Sequence, residues 1–157
     1  MPWGQFITQW LHVFFATVWL GGTVFVFTVI GPALRSADPA AALEVGHRLG
    51  SRTHMILAPA GALTIIFGLL RATVYGPARS WDFFQGSAYG MTLGAALILA
   101  IIIAVVGGVT GRIARSLSTV PDAERPKLLR RISLLSGLSI LGLCLGLTCM
   151  VLMRYGL

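Results

Sequence analysis

His12 is the residue whose type and position ask most directly for chemistry. It stands inside the first of four long apolar segments, about two turns from that segment's start. A titratable ring at membrane depth is costly unless something ligates or pairs it, so by default it marks a functional site. Trp19 follows seven residues later and shares its helical face, because i and i+7 are two turns apart. Gly21 and Gly22 come next and admit a close neighbouring helix.

The elements that must position His12 are membrane helices. Of 157 residues, 56% are hydrophobic and 11% charged, too apolar for an ordinary soluble domain. Four segments reach the ~20 residues that a bilayer requires. They cover residues 5–30, 55–75, 89–111 and 132–153. The expected fold is all-α: one integral membrane four-helix bundle over residues 1–157, with no soluble domain. The first segment has no positive flank and is too long for a signal peptide's core, so it reads as retained.

The net charge of +7 does not point to nucleic acid, because it is distributed as a topology signal. Nine Lys and Arg fall in two links: Arg35, Arg48 and Arg52 in the first, Arg112, Arg115, Arg125, Lys127, Arg130 and Arg131 in the second. Only Arg71, Arg79 and Arg154 fall on the opposite side. The positive-inside rule then places both links in the cytoplasm and both termini outside. The basic face Lys127, Arg130 and Arg131 meets anionic headgroups.

Local signals divide the chain further. Gly31-Pro32 should stop the first span. Asp38-Pro39 suits a helix start, followed over residues 40–53 by a short amphipathic helix or an extension of span two. Pro59 is expected to kink span two. Residues 76–88 read as an outer loop whose aromatics form an interfacial belt. Gly107 with Gly111, and Gly142 with Gly146, are small-xxx-small pairs suited to close packing.

Depth decides which reactive groups meet. His12 lies about 10 Å below the outer surface at ~1.5 Å per residue. Arg71, Met91, Cys149, Met150 and Met153 come to a similar level from the other spans. His54 opens span two on the cytoplasmic side, roughly 20–25 Å away, so it and His12 cannot ligate one haem. Three readings compete for the outer cluster. His12 is an axial ligand of haem b, with Arg71 on a propionate and a Met or nothing opposite. Or His12 with Cys149 and Met150 or Met153 holds Cu(I), which prefers soft ligands. Or His12 only hydrogen-bonds a neighbouring helix and the methionines fill space.

His54 is a candidate second haem ligand or proton-handling group, beside the plainer reading of an interfacial histidine. Arg48 and Arg52 could meet propionates there or simply mark the cytoplasmic side. His47 is expected in solvent. Cys144 and Cys149, five apart on one helix, cannot bridge each other. No C-x-x-C-H, Ser-His-Asp set, phosphate loop or carboxylate pair appears. Covalent c-type haem is therefore excluded, and the absence of membrane-embedded carboxylates argues against a carboxylate-based proton or cation transporter.

The spacing His12, Trp19, Gly21 in a first span resembles the opening of the HemJ/CopD-like group of small four-span membrane proteins. Arg52-Thr-His-Met-Ile-Leu-Ala-Pro59, with Thr64-Ile-Ile-Phe-Gly68-Leu, is similar to the second span of the HemJ branch. The resemblance covers about residues 8–72. It implies a four-helix bundle that binds haem b through His12. Beside it, the residue reading keeps Trp19, Arg71 and Met150 as candidates around that haem and His54 for a second one, and the bacterial inner membrane is the expected location. The HemJ branch oxidises protoporphyrinogen and carries a lysine, usually with a nearby histidine, early in span three. The matching stretch here, Tyr89-Gly-Met-Thr-Leu-Gly94, has none, so that activity is not carried over. The CopD branch handles copper in longer chains. The expected function is electron transfer, as a membrane oxidoreductase or as an accessory subunit among other membrane proteins or copies of itself. Copper handling and a haem-free scaffold are the alternatives.

The charge asymmetry yields a direct test. Reporter fusions after Ser116 should read cytoplasmic and fusions at the C-terminus external. A cytoplasmic C-terminus would reverse the whole assignment.

Overall fold

A computed structural model of the chain describes residues 3–117 and 119–156, apart from the side chains of residues 39–41, 47 and 122. His47, expected in solvent, therefore has its side chain outside the described residues. Helix α1 (Trp3–Phe25) runs through a π turn (Val26–Ile30) into α2 (Gly31–Ser36). Helix α3 (Pro39–Thr73) returns, and a short α4 (Trp81–Gly86) precedes α5 (Ala88–Ser116). A 3₁₀ turn (Asp122–Glu124) leads into α6 (Arg125–Arg154). No strand occurs among the described residues. Four stretches are long and apolar enough to cross a membrane: Trp3–Ser36, Ala42–Thr73, Ala88–Ser116 and Arg125–Arg154. The fold is thus an all-α bundle of four membrane-length helices, each longer than its apolar segment.

Two local expectations change, and one open alternative is decided. Pro32 does not end the first helix. It occupies the first turn of α2, where its missing N–H costs nothing. The π turn before it makes this possible, with the Gly31 N–H donating to the Val26 carbonyl five residues back. That wider turn relieves the clash a proline ring makes with the carbonyl four residues earlier. Residues 40–53 are an extension of span two rather than a separate helix, since α3 is continuous from Pro39. The outer loop contains a helix: the Ser80 hydroxyl accepts from the Phe83 N–H at 3.2 Å and caps α4.

The bundle is two antiparallel hairpins, α1 with α3 and α5 with α6, joined through α3 and α5. Helices α1 and α6 touch far less. In a membrane there is little hydrophobic drive between helices, so packing must come from close approach. Both helices supply notches: Gly61 and Gly68 of α3 receive side chains of α1, while Gly22 and Gly4 of α1 receive Leu57 of α3 and Tyr75 just beyond it. A Cβ placed on Gly61 would lie 2.9 Å from Trp19 Cε2, and one on Gly68 2.8 Å from His12 Cε1. One on Gly22 would collide with Leu57, and one on Gly4 would lie 2.6 Å from the Tyr75 hydroxyl. Along these pairs one number falls as the other rises, so the hairpin keeps a constant register. In the second hairpin Gly142 receives Ile103 (2.8 Å from a Cβ to Cγ1). Gly107 and Gly146 have nothing within 4 Å, so each small-xxx-small pair uses one member.

The core follows these seams. Trp19, Ala60 and Ile103 form a central buried cluster, with Phe15, Leu57 and Leu99 against it. Ala72, Ala78 and Leu93 form a second one, covered by α4's Phe83 and Phe84 and by Met153. Buried hydroxyls are satisfied within their own helices. Thr64 Oγ1 donates to Ala60 O at 2.8 Å, and Ser139 Oγ to Leu135 O at 3.0 Å.

A pair of glycine substitutions separates notch from spacer. Gly61→Ala should destabilise the bundle by about 1–3 kcal/mol, because the rigid indole cannot yield. Gly21→Ala meets nothing within 4 Å and should be neutral or stabilising by up to ~1 kcal/mol through helix propensity. Thermal unfolding in micelles would show the opposite signs. Equal effects would remove the notch from the account.

Candidate functional site

His12 is half-buried on the seam between α1 and α3. Its Nδ1 lies 2.8 Å from the Thr64 carbonyl oxygen. A carbonyl only accepts, so Nδ1 carries the proton and Nε2 is the lone-pair nitrogen. No described residue hydrogen-bonds Nε2. Gly68, one turn beyond Thr64, provides the floor on which the ring lies. Interhelical hydrogen bonds in membranes contribute about 0.6 kcal/mol and at most ~1.7. The bond therefore aims the ring more than it holds the helices together.

Arg71 follows Gly68 by three residues and so lies one turn from the His12 seat, on the same side of α3. Its Nη1 donates to the Tyr75 carbonyl at 3.3 Å. Its Nε is buried without a hydrogen-bond partner. A buried unpartnered guanidinium N–H is expensive in an apolar setting, which makes this a place where an anionic or carbonyl group would be welcome.

The remaining residues of the outer cluster are less concentrated. Met153 packs on Ala72, Ala78 and Leu93. Met150 and Cys149 are half-buried on α6, and Met91 is exposed. Both cysteines are free, and Cys144 is exposed. Among the described residues no three His, Cys, Asp or Glu side chains converge. Trp19 serves the central core and not the His12 seat.

His54 belongs to the other half of the molecule. On the continuous helix α3 it precedes Thr64 by ten residues, roughly 15 Å at ~1.5 Å per residue. Its ring lies by α5, with Nδ1 3.4 Å from a Cβ placed on Gly111. It lines a cavity of about 880 Å³ to which all four long helices contribute. That volume lies within the range of small-molecule sites. The cations lining the cavity are Arg35 and Arg125, not Arg48 and Arg52. Arg48 instead pairs with Glu44 at 2.8 Å, an exposed i,i+4 contact of little energetic weight.

Sequence reasoning did not foresee this cavity or Thr64's role. Two signals bore on them. Thr64 and Gly68 are four apart, which puts a carbonyl beside a notch. Ser133, Ser136 and Ser139 recur every three residues and place hydroxyls along one side of α6. Neither pattern states which helix will lie opposite.

Compared with protein-family models, curated proteins and solved structures, the chain matches none.

The His12 geometry predicts a tautomer. With 15N-labelled histidine in micelles, NMR should show His12 neutral and protonated at Nδ1. Gly68→Ala forces the ring away from the Thr64 carbonyl and should raise the Nε2-protonated form. A wild-type ring already protonated at Nε2 would contradict the hydrogen bond.

Proposed function

We propose that the chain is a small membrane protein that binds haem b through His12, near the end that carries both termini. On this reading it passes electrons, alone or as an accessory subunit of a larger membrane redox complex. The observation that supports it most is the hydrogen bond from Nδ1 to Thr64. Histidines that ligate a metal typically give their second N–H to a carbonyl, which fixes tautomer and ring plane. His12 has that arrangement, with Nε2 left for the iron.

Haem, when bound, would supply one-electron redox chemistry whose potential depends on ligand identity, hydrogen bonding and burial. The chain's own residues would do the rest. Thr64 holds the imidazole and raises its basicity through the hydrogen bond. Gly68 keeps the ring close to α3. Arg71, one turn away, offers its unpartnered Nε to a propionate, and a charge-assisted contact of this kind is about twice as strong as a neutral one. With the basic links cytoplasmic, this site would face the external leaflet.

Absorbance spectra of the purified protein, oxidised and dithionite-reduced, test the reading. A Soret band with sharp α and β bands on reduction is expected. His12→Ala should abolish it while the bundle still inserts, and His54→Ala should leave it. Copper by metal analysis with no Soret band would replace haem with copper handling. Neither signal would leave a scaffold.

Arg71 gives a finer check. Arg71→Lys loses the planar fork and should weaken haem retention or shift the midpoint potential. If Arg71→Lys and Arg71→Gln leave both unchanged, Arg71 is only an interfacial anchor that snorkels.

A further inference from the structure

The cavity beside His54 has a direction. Its inner end is walled by Trp19, Gly61, Ile103 and Ser139. Ile103 and Ser139 stand near the middles of α5 and α6, and Trp19 near the middle of the run from α1 through α2. Its outer end is lined by Arg35, Leu117 and Arg125, at the basic links. From Ser139 to Arg125 is fourteen residues, roughly 20 Å at ~1.5 Å per residue. The cavity thus spans the depth of one leaflet, from the headgroup level to about the midplane of a ~30 Å core. Beyond it the bundle is shut, because Trp19 fills the notch of Gly61 and Ile103 that of Gly142. A blind half-membrane pocket is not a conduction path.

Its chemistry is graded along that direction. A smaller cavity of about 380 Å³, between α2 and α6, shares Arg35 and Ser133 with the large one and adds Arg130. Three guanidinium groups therefore stand around the mouth. Ser133, one turn inward from Arg130, and Ser136 line the next level. Their hydroxyls bond no other described residue. Deeper walls are mainly apolar, with Phe27, Leu57 and Ile103, and the hydroxyls of Thr23 and Ser139 there donate to their own helices. Gly107 and Gly108 leave the α5 wall bare, with nothing within 4 Å of a Cβ at either. Helices α1 and α6 barely touch, which leaves a lateral way in from the bilayer.

We propose that this cavity is a binding site for one anionic phospholipid of the leaflet on the basic-link side. The phosphate meets Arg35, Arg125 and Arg130. The glycerol esters accept from the Ser133 and Ser136 hydroxyls, and an acyl chain runs inward to Trp19. Cation, hydroxyl and hydrocarbon succeed one another here in the order that phosphate, ester and acyl chain do in a phospholipid. This site lies in the opposite half of the bundle from His12 and does not depend on the haem reading.

The full chain in maltoside micelles, given equal phosphatidylglycerol and phosphatidylcholine, would be examined by native mass spectrometry. One retained phosphatidylglycerol per chain is expected, at least tenfold over phosphatidylcholine. At about fivefold per cation, Arg35→Gln should weaken retention fivefold and Arg35→Gln with Arg130→Gln about 25-fold. Gly107→Leu puts a side chain into the cavity where a Cβ meets nothing within 4 Å, and it should abolish retention while the thermal transition stays in place. To locate the chain, Trp3, Trp10 and Trp81 would be changed to Phe, leaving Trp19 as the lone tryptophan. Phosphatidylglycerol brominated near its acyl terminus should then quench Trp19 saturably, and Gly107→Leu should remove the quenching. Equal retention of both lipids, or retention unaffected by Gly107→Leu, would overturn the proposal. Displacement by millimolar inorganic phosphate would show a bare anion site and overturn it as well. Haem lost on His54→Ala with no lipid retained would assign the cavity to haem instead.

Discussion

The seating of Trp19 on Gly61 is the contact on which the rest of the bundle depends. It lies near the midplane, where an indole ring occupies a notch made by a missing Cβ. Around it gather Ala60 and Ile103, with Leu143 of α6 packed against them, so all four long helices meet there. In lipid, apolar side chains gain little by leaving one another's company, and close fit is what holds helices together. A rigid ring in a fitted notch supplies many dispersion contacts at small entropic cost. Toward the termini the α1–α3 seam continues tightly through His12 on Gly68 and Tyr75 beside Gly4. Toward the basic links, past Gly22 against Leu57, a cavity opens between the four helices.

That opening has a structural origin in the first helix. Pro32 cannot sit in a regular helix interior, and the π turn over Val26–Ile30 absorbs it. The chain beyond the turn, α2, carries Arg35 to the cavity mouth. Helix α6 makes little contact with α1 or with the π turn. The two halves of the molecule consequently differ in kind. One is packed and holds a histidine aimed by a backbone carbonyl. The other is hollow, apolar inside and cationic at its rim. Electron transfer at His12 and lipid at the basic links would be served by different halves, with Trp19 between them.

The polar groups at depth show how the bundle tolerates them. Thr8, Thr64 and Ser139 are buried, and each hydroxyl donates to a carbonyl of its own helix. No cross-helix partner is needed, so they cost little and say little about function. His12 differs because a ring cannot return to its own backbone in this way and must find another helix. Arg71 differs because only part of its guanidinium is satisfied. These two exceptions, one turn apart along the seam, separate a candidate site from ordinary membrane packing.

Much was legible in the sequence because it depends on local properties. Hydropathy over about 20 residues marked four helices, since a bilayer demands internally satisfied backbone whatever the neighbours are. His12 was conspicuous because a charged or titratable group in hydrocarbon is costly in any fold. The helix start at Asp38-Pro39 followed from capping chemistry alone. What only the tertiary structure decided depends on pairing. Gly61 and Gly68 are notches while Gly21 and Gly107 are bare, and nothing local distinguishes them. Pro32 reads as a stop until a π turn makes room for it. Thr64 became His12's partner, and Arg35 and Arg125 came to share a cavity with His54, only when hairpin register set residues far apart in the chain side by side. Register is a property of two helices at once, fixed by which side chain fills which notch, and no single segment contains it.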